Sequence, residues 1–208
     1  MKLGILSDIH ADLPGLERAL ALFQRQNVDQ IVCAGDLVDG TTPGEGVVRH
    51  FRGSSIPCVM GNHDEDAIAP GSVHYRRVQQ TDPPFDALTA DSLTYLQGLP
   101  RQHEFTAGGL RVLLAHGVPS SNRIYLWSFA ERHDLQRAAH SAKSDVLILG
   151  HTHDPMLVKV DGVTIVNPGS VRLINGSGTC AILTLPDLDY TVYDLATELS
   201  IPYQRPQL

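Results

Sequence analysis

Short apolar runs alternate along the chain with segments whose apolar positions recur at helical spacing, the pattern of a layered α/β domain. Residues 2–7 (KLGILS) predict a first strand. Residues 13–26 predict a helix, with Leu13, Leu16, Leu20 and Phe23 at helical spacing and Asp12 placed to cap its start. Residues 30–34 and 56–60 read as buried strands, with a helix over 44–52 between them. The spacing of these three strands is close to the ~30 residues of a strand–helix–strand unit, so right-handed crossovers would make them parallel.

The middle of the chain is less regular. Residues 86–98 suit a helix, followed by strands at 102–106 and 110–115, a helix over 124–140 and a buried strand at 145–149. Beyond 155 the pattern is β only, at 156–160, 163–166, 179–185 and 189–194, which predicts a second sheet packed on the first. The tail from Ser200 carries two Pro and is expected to be irregular.

Chemistry enters where the strands end. Asp8 and His10 follow the first strand within SDIH, and Asp36 follows the second within AGDLVDG. Asn62, His63 and Asp64 follow the third within GNHD. His116-Gly117 follows the strand at 110–115, and GHTHD, with His151 and His153, follows the strand at 145–149. Open α/β sheets place their sites at the carboxyl ends of strands. Each motif alone has an ordinary explanation, such as a capped turn, Gly-Asp turn chemistry or a hydrogen-bonded structural His. Their joint occurrence, each after a strand, points to one metal-binding edge.

Composition sharpens this. The chain has 208 residues, enough for one domain with a real core, and no apolar run approaches a membrane span. Ten His stand against three Cys, and Cys33, Cys58 and Cys180 show no CxxC spacing, so a thiolate site or disulfide framework is not expected. A reducing cytoplasm fits this usage. The net charge of −7 excludes the broad basic surface of a general nucleic-acid binder.

The ordered set DxH, GDxxD, GNHD, His-Gly and GHTH, with Asn167-Pro168-Gly169-Ser170-Val171 after it, resembles the calcineurin-like metallophosphoesterase superfamily, in its small bacterial and archaeal phosphodiesterase branch. The resemblance implies a single domain over 1–208. Its fold would be α/β, a two-layer β-sandwich flanked by helices in an α/β/β/α order. It also implies a dinuclear centre with one metal on Asp8, His10, Asp36 and His153, and the other on Asp36, Asn62, His116 and His151. Asp36 would bridge them, and His63, oriented by Asp39, would be catalytic.

Carboxylate, imidazole and amide ligands suit divalent transition metals, manganese foremost, with iron, zinc, nickel or cobalt compatible. Two such cations neutralise phosphoryl oxygens and make hydroxide available near neutral pH. They would also reverse the local sign that an acidic chain presents to a phosphoester. The implied activity is phosphoester hydrolysis, with a phosphodiester of small-molecule type as the leading substrate. A phosphomonoester, including a Ser/Thr phosphoprotein, is the rival, and a non-catalytic scaffold a weaker one. An oligomer stays open, and no membrane partner is expected.

After the GD motif, relatives of this branch carry a segment like VGYGPNPNE, whereas this chain reads DLVDGTTPGEGVV; Pro43 and Glu45 are retained and the Tyr is not. His50, His74, His103, His133 and His140 match no motif. Asp64 either braces its loop or is solvated, and Arg172 either clamps a phosphate or faces solvent. Arg123, Tyr125 and Trp127 could rim the pocket, but the start of an amphipathic helix is the favoured reading.

Overall fold

The computed structural model describes residues 1–39, 44–72, 88–173 and 176–202. Pro43, His74 and the first residues of the helix expected at 86–98 lie outside them. In chain order the strands are β1 (Lys2–Leu6), β2 (Gln30–Cys33), β3 (Gln102–Ala107), β4 (Leu110–Ala115), β5 (Val146–Ile148), β6 (Met156–Val160), β7 (Val163–Asn167), β8 (Thr179–Thr184), β9 (Asp189–Asp194) and β10 (Ser200–Ile201). The helices are α1 (Leu13–Arg25), α2 (Glu45–Arg52), α3 (Asn62–Ile68), α4 (Ala90–Gln97) and α5 (Arg132–Ala142).

The described strands form two sheets, ordered β10-β9-β8-β1-β2 and β3-β4-β5-β7-β6. β1 and β2 run parallel, as do β4, β5 and β7, while the flanking strands are antiparallel. Side-chain alternation builds the layers. Leu3 and Ile5 of β1 meet Val112 and Leu114 of β4 and Val146 and Ile148 of β5 between the sheets. Leu6 and Cys33 face α1 and α2, packing with Leu16, Phe23 and Phe51. Leu113, Leu147 and Ile165 face α5, packing with Leu135, Ala138 and Ala139. These strands are covered on both faces, which is why they read as unbroken apolar runs. The result is the expected α/β/β/α sandwich.

The helix start at 13 follows the expected cap: Asp12 Oδ1 accepts from Gly15 N at 2.8 Å. Several expectations need correction. Residues 56–60 form no strand but a single parallel bridge, Cys58 to Cys33, because Pro57 lacks the amide a ladder requires. The strands beyond 155 do not make a sheet of their own. β6 and β7 complete the sheet of β3–β5, and β8–β10 return to β1. Ser200–Ile201 pairs with β9, so the tail begins as an edge strand. The expected helix over 124–140 is Arg132–Ala142. Residues 124–127 are neither helix nor strand, and Leu126 is buried between exposed Tyr125 and half-buried Trp127. No described helix is long and apolar enough to cross a membrane.

Candidate metal centre

The parallel strands β1, β2, β4 and β5 end at one edge of the sandwich, and the chain turns sharply just beyond most of them. Asp8, His10, Asp36, His151 and His153 all adopt left-handed backbone, with φ of 54, 46, 55, 70 and 58°. Such conformations cost on the order of 1 kcal/mol each and persist where the surroundings over-determine them. Here each turns a side chain back into the crevice between the two sheets.

The surroundings that hold these turns are explicit. The Asp64 carboxylate, fully buried, accepts from the amides of Asp36 (2.9 Å), Leu37 (2.8 Å), Val38 (3.2 Å) and Gly61 (3.0 Å). It therefore braces the β2 turn against the start of α3, which settles its role. Burial and the neighbouring Asp36 push its pKa up to about 6, against the amides that favour the carboxylate. Gly61 is required by space: a Cβ there would stand 2.0 Å from Asp36 Oδ1. Asn167 donates to Gly150 O at 2.6 Å and Thr152 Oγ1 at 3.1 Å, and Ser170 Oγ donates to Asp8 O at 2.8 Å. The Asn-Pro-Gly-Ser segment thus ties the GHTH turn to the first strand's turn.

Within this frame the expected ligands converge. His10 Nε2 lies 2.9 Å from His153 Nε2 and 3.7 Å from Asp8 Oδ1, and His153 Nε2 lies 3.2 Å from Asp8 Oδ1. On the other side, His116 Nε2 lies 3.0 Å from Asn62 Oδ1, and the rings of His116 and His151 are 4.9 Å apart. Asp36 joins the two groups. Its Oδ1 accepts from His63 N at 2.8 Å, while its Oδ2 stands 3.8 Å from His10 Nε2 and 3.3 Å from His116 Nε2. Ligand-type atoms of Asp8, His10 and His153, of His10, Asp36 and His63, and of Asp36, His116 and His151 lie within 4.8 Å of one another in each group.

Two features show that the residues fit cations. First, the outer ends of two of the expected ligands are already engaged. The His116 ring contacts Ala34 O through Nδ1 at 2.7 Å, which leaves Nε2 directed inward. Asp8 Oδ2 accepts from Ser7 Oγ at 2.5 Å and His151 N at 3.0 Å. Second, buried atoms facing the crevice lack a well-aligned protein hydrogen bond: Asp8 Oδ1, despite its nearness to His153, and His151 Nε2. Buried polar atoms are rarely left so.

Electrostatics agree. Burial opposes charge on Asp8 and Asp36, yet the imidazoles hold both carboxyls below their usual range. In return, and against burial, Asp36 draws the His116 pKa up to about 10. Burial and the neighbouring His116 push His151 down to about 4, so its ring is neutral near pH 7, the form that binds metal. Paired buried carboxylates with convergent imidazoles require positive charge, and divalent cations supply it without protonating the ligands.

Other expectations resolve around the rim. An open cleft of about 290 Å³ is lined by Asp36, His63, Tyr125, Trp127, His151, Thr152 and His153. Tyr125 and Trp127 therefore belong to the cleft, and the helix-start reading is overturned for both. Tyr125 stacks on His151, with ring centroids 3.8 Å apart. Arg123 pairs with Glu65 at 3.1 Å and with Asp66, tying its loop to α3. Arg172 donates to Asp39 Oδ2 at 2.9 Å. The contribution of Ser7 carried no sequence signal of its own. That of Trp127 was masked by a spacing compatible with a helix.

Comparison with known proteins accords with this geometry. The family model described as the calcineurin-like phosphoesterase superfamily domain matches residues 1–187. Phosphodiesterase MJ0936 of Methanocaldococcus jannaschii is 25% identical over 193 residues, covering 91% of this chain and 96% of its own. Phosphodiesterase YfcE of Escherichia coli K12 is 26% identical over 176 residues, covering 85% and 82%. Among solved structures, a metallophosphoesterase from Sphaerobacter thermophilus superposes with a TM-score of 0.70 at 24% identity, covering 98% of this chain and 89% of its own, a likeness of fold. With the motifs, the sandwich and the family match in agreement, the chain belongs to the calcineurin-like phosphoesterase superfamily and is a hydrolase of phosphoester bonds.

Proposed function

We propose that the protein is a phosphodiesterase working through a dinuclear centre of divalent transition metals, manganese foremost, in the cytoplasm. One cation would be held by Asp8, His10, Asp36 and His153, and the other by Asp36, Asn62, His116 and His151. The observation that carries this reading is the placement of Asp36 Oδ2 within reach of both imidazole groups, 3.8 Å from His10 Nε2 and 3.3 Å from His116 Nε2. A single carboxylate oxygen facing both groups suits a bridge. The nitrogen–oxygen donor set supports transition metals over calcium.

When bound, the cations would supply Lewis acidity toward the phosphoryl oxygens and make hydroxide available near neutral pH. The chain's own residues do the rest. Asp64 and Asn167 hold the turns that aim the ligands. His63, on the cleft wall with its ring edge-on to His10 at 4.8 Å, would protonate the leaving alkoxide or donate to a phosphoryl oxygen. Asp39, whose carboxylate accepts from Arg172, would orient that imidazole. Intact ligand positions speak against a non-catalytic scaffold.

The test is a phosphoester panel on protein stripped by chelator and reloaded with Mn, Fe, Zn, Ni or Co. We expect metal-dependent turnover, fastest with manganese, with a bis-aryl phosphate exceeding a mono-aryl phosphate. Faster turnover of the monoester would overturn the diester assignment, and no turnover with any metal would overturn the activity.

A further inference from the structure

Residues 123–129 leave the metal centre in an unusual way. Tyr125, Trp127 and Phe129 alternate along the chain and stack as one tier. Tyr125 and Trp127 are 5.7 Å apart at 16°, and Trp127 and Phe129 are 5.7 Å apart at 17°. The tier begins on the His151 ring, to which Tyr125 lies parallel within 10°. It runs outward into solvent, with Tyr125 52% and Phe129 77% exposed. A folded chain normally turns such rings inward, and exposed aromatic surface beside a site marks binding. Here Leu126 is the residue turned inward, into the core beneath α5, and it anchors the segment so that its neighbours face out.

This tier rests on the phosphodiesterase reading and specifies its substrate. A phosphodiester whose phosphorus lies at the metals can send an ester arm along the cleft, where Tyr125 and Trp127 are the aromatic part of a lining completed by His63, Thr152 and the ligand residues. Parallel π faces offer little to a flexible polar alcohol and much to a planar ring, and they accept any base because every base has a π face. The rest of the surface limits the size of the ligand. The chain carries a net charge of −7, which disfavours the many phosphate contacts a polynucleotide requires. The neighbouring Arg123 is engaged by Glu65 and Asp66. We propose that the Tyr125–Trp127–Phe129 tier is a base-stacking platform that selects short, nucleobase-bearing phosphodiesters, of mono- or dinucleotide type, for hydrolysis at the adjacent centre.

Trp127 is the sole tryptophan of the chain, so it reports directly. Titrating the metal-loaded protein with adenosine 5′-monophosphate should quench its fluorescence, while glycerol 3-phosphate at equal concentration should not. This readout needs no turnover, so it judges the platform even if the phosphodiesterase reading fails. In steady-state assays, a dinucleoside phosphate should be preferred over glycerophosphoethanolamine. Trp127→Leu should lower that preference about tenfold, mainly through KM, and Trp127→Phe should largely restore it. Metal content of each variant, measured in parallel, should equal that of the parent protein. Equal fluorescence responses to both phosphates, or an unchanged preference in Trp127→Leu, would overturn the proposal. Loss of metal in Trp127→Leu would also overturn it, since the ring would then be supporting the centre.

Discussion

The two sides of the cleft are built by opposite means. The ligand side is buried, polar and held in left-handed backbone by a web of hydrogen bonds that centres on Asp64, Asn167 and Ser170. The aromatic side is exposed and apolar, and it is held by the inward Leu126, by the pairing of Arg123 with α3 and by backbone hydrogen bonds at Ile124 and Trp127. The ligand side brings ligand-type atoms within 4.8 Å of one another in each group, which asks for particular residue types at each position. The aromatic side offers flat surface, which many sequences can supply. Chemistry common to a family resides in the first kind of region, and the choice of substrate can vary in the second.

Substitutions can break this contrast in a graded order. Asp36→Asn is expected to have the largest effect, removing the charge that faces both imidazole groups. Hydrolysis should fall to background and metal content should drop, as elemental analysis after dialysis will show; retained metal would shift the bridging role elsewhere. His63→Ala should keep the metals and lower turnover by about 10²–10⁴, the usual weight of a general acid. Wild-type turnover in that variant would remove His63 from the chemistry.

Asp64→Ala removes no proposed ligand, yet it strips the amides of Asp36, Leu37, Val38 and Gly61 of their acceptor. A loss of about 3 kcal/mol or more in urea unfolding is expected, together with weaker metal retention. A loss below about 1 kcal/mol would mean that the turn is held by other contacts. Phe129→Ala, at the outer end of the tier, should change stability by no more than about 0.5 kcal/mol in the same assay. A larger loss would make the tier part of the fold rather than a surface laid upon it.

Much of the centre was legible because each ligand follows a strand whose apolar run ends abruptly. Asp8, Asp36, His116 and His151 could each be placed at the carboxyl end of a strand by that pattern alone. The support for these residues was less legible. GNHD read equally well as a loop, whereas Asn62 and His63 open α3, and nothing local to Asp64 announces amides drawn from the distant Asp36–Val38 turn. Residues 124–131 misled for a related reason. A run containing Leu126, Trp127 and Phe129 satisfies helical spacing nearly as well as alternation, and only the core beneath α5 selects between them.

The sequence by itself determined the strands that are buried on both faces, the cap at Asp12 and the donor set of nitrogen and oxygen ligands. These follow from local periodicity, side-chain chemistry and order along the chain, which need no partner. The tertiary structure alone decided which strands share a sheet, sending β6 and β7 to one and β8 to β10 to the other. It also decided that Asp36 Oδ2 faces both imidazole groups and that three rings between Tyr125 and Phe129 stand in one exposed tier. Pairing, bridging and stacking depend on the relative position of residues far apart in sequence, and packing of the sandwich core sets that position.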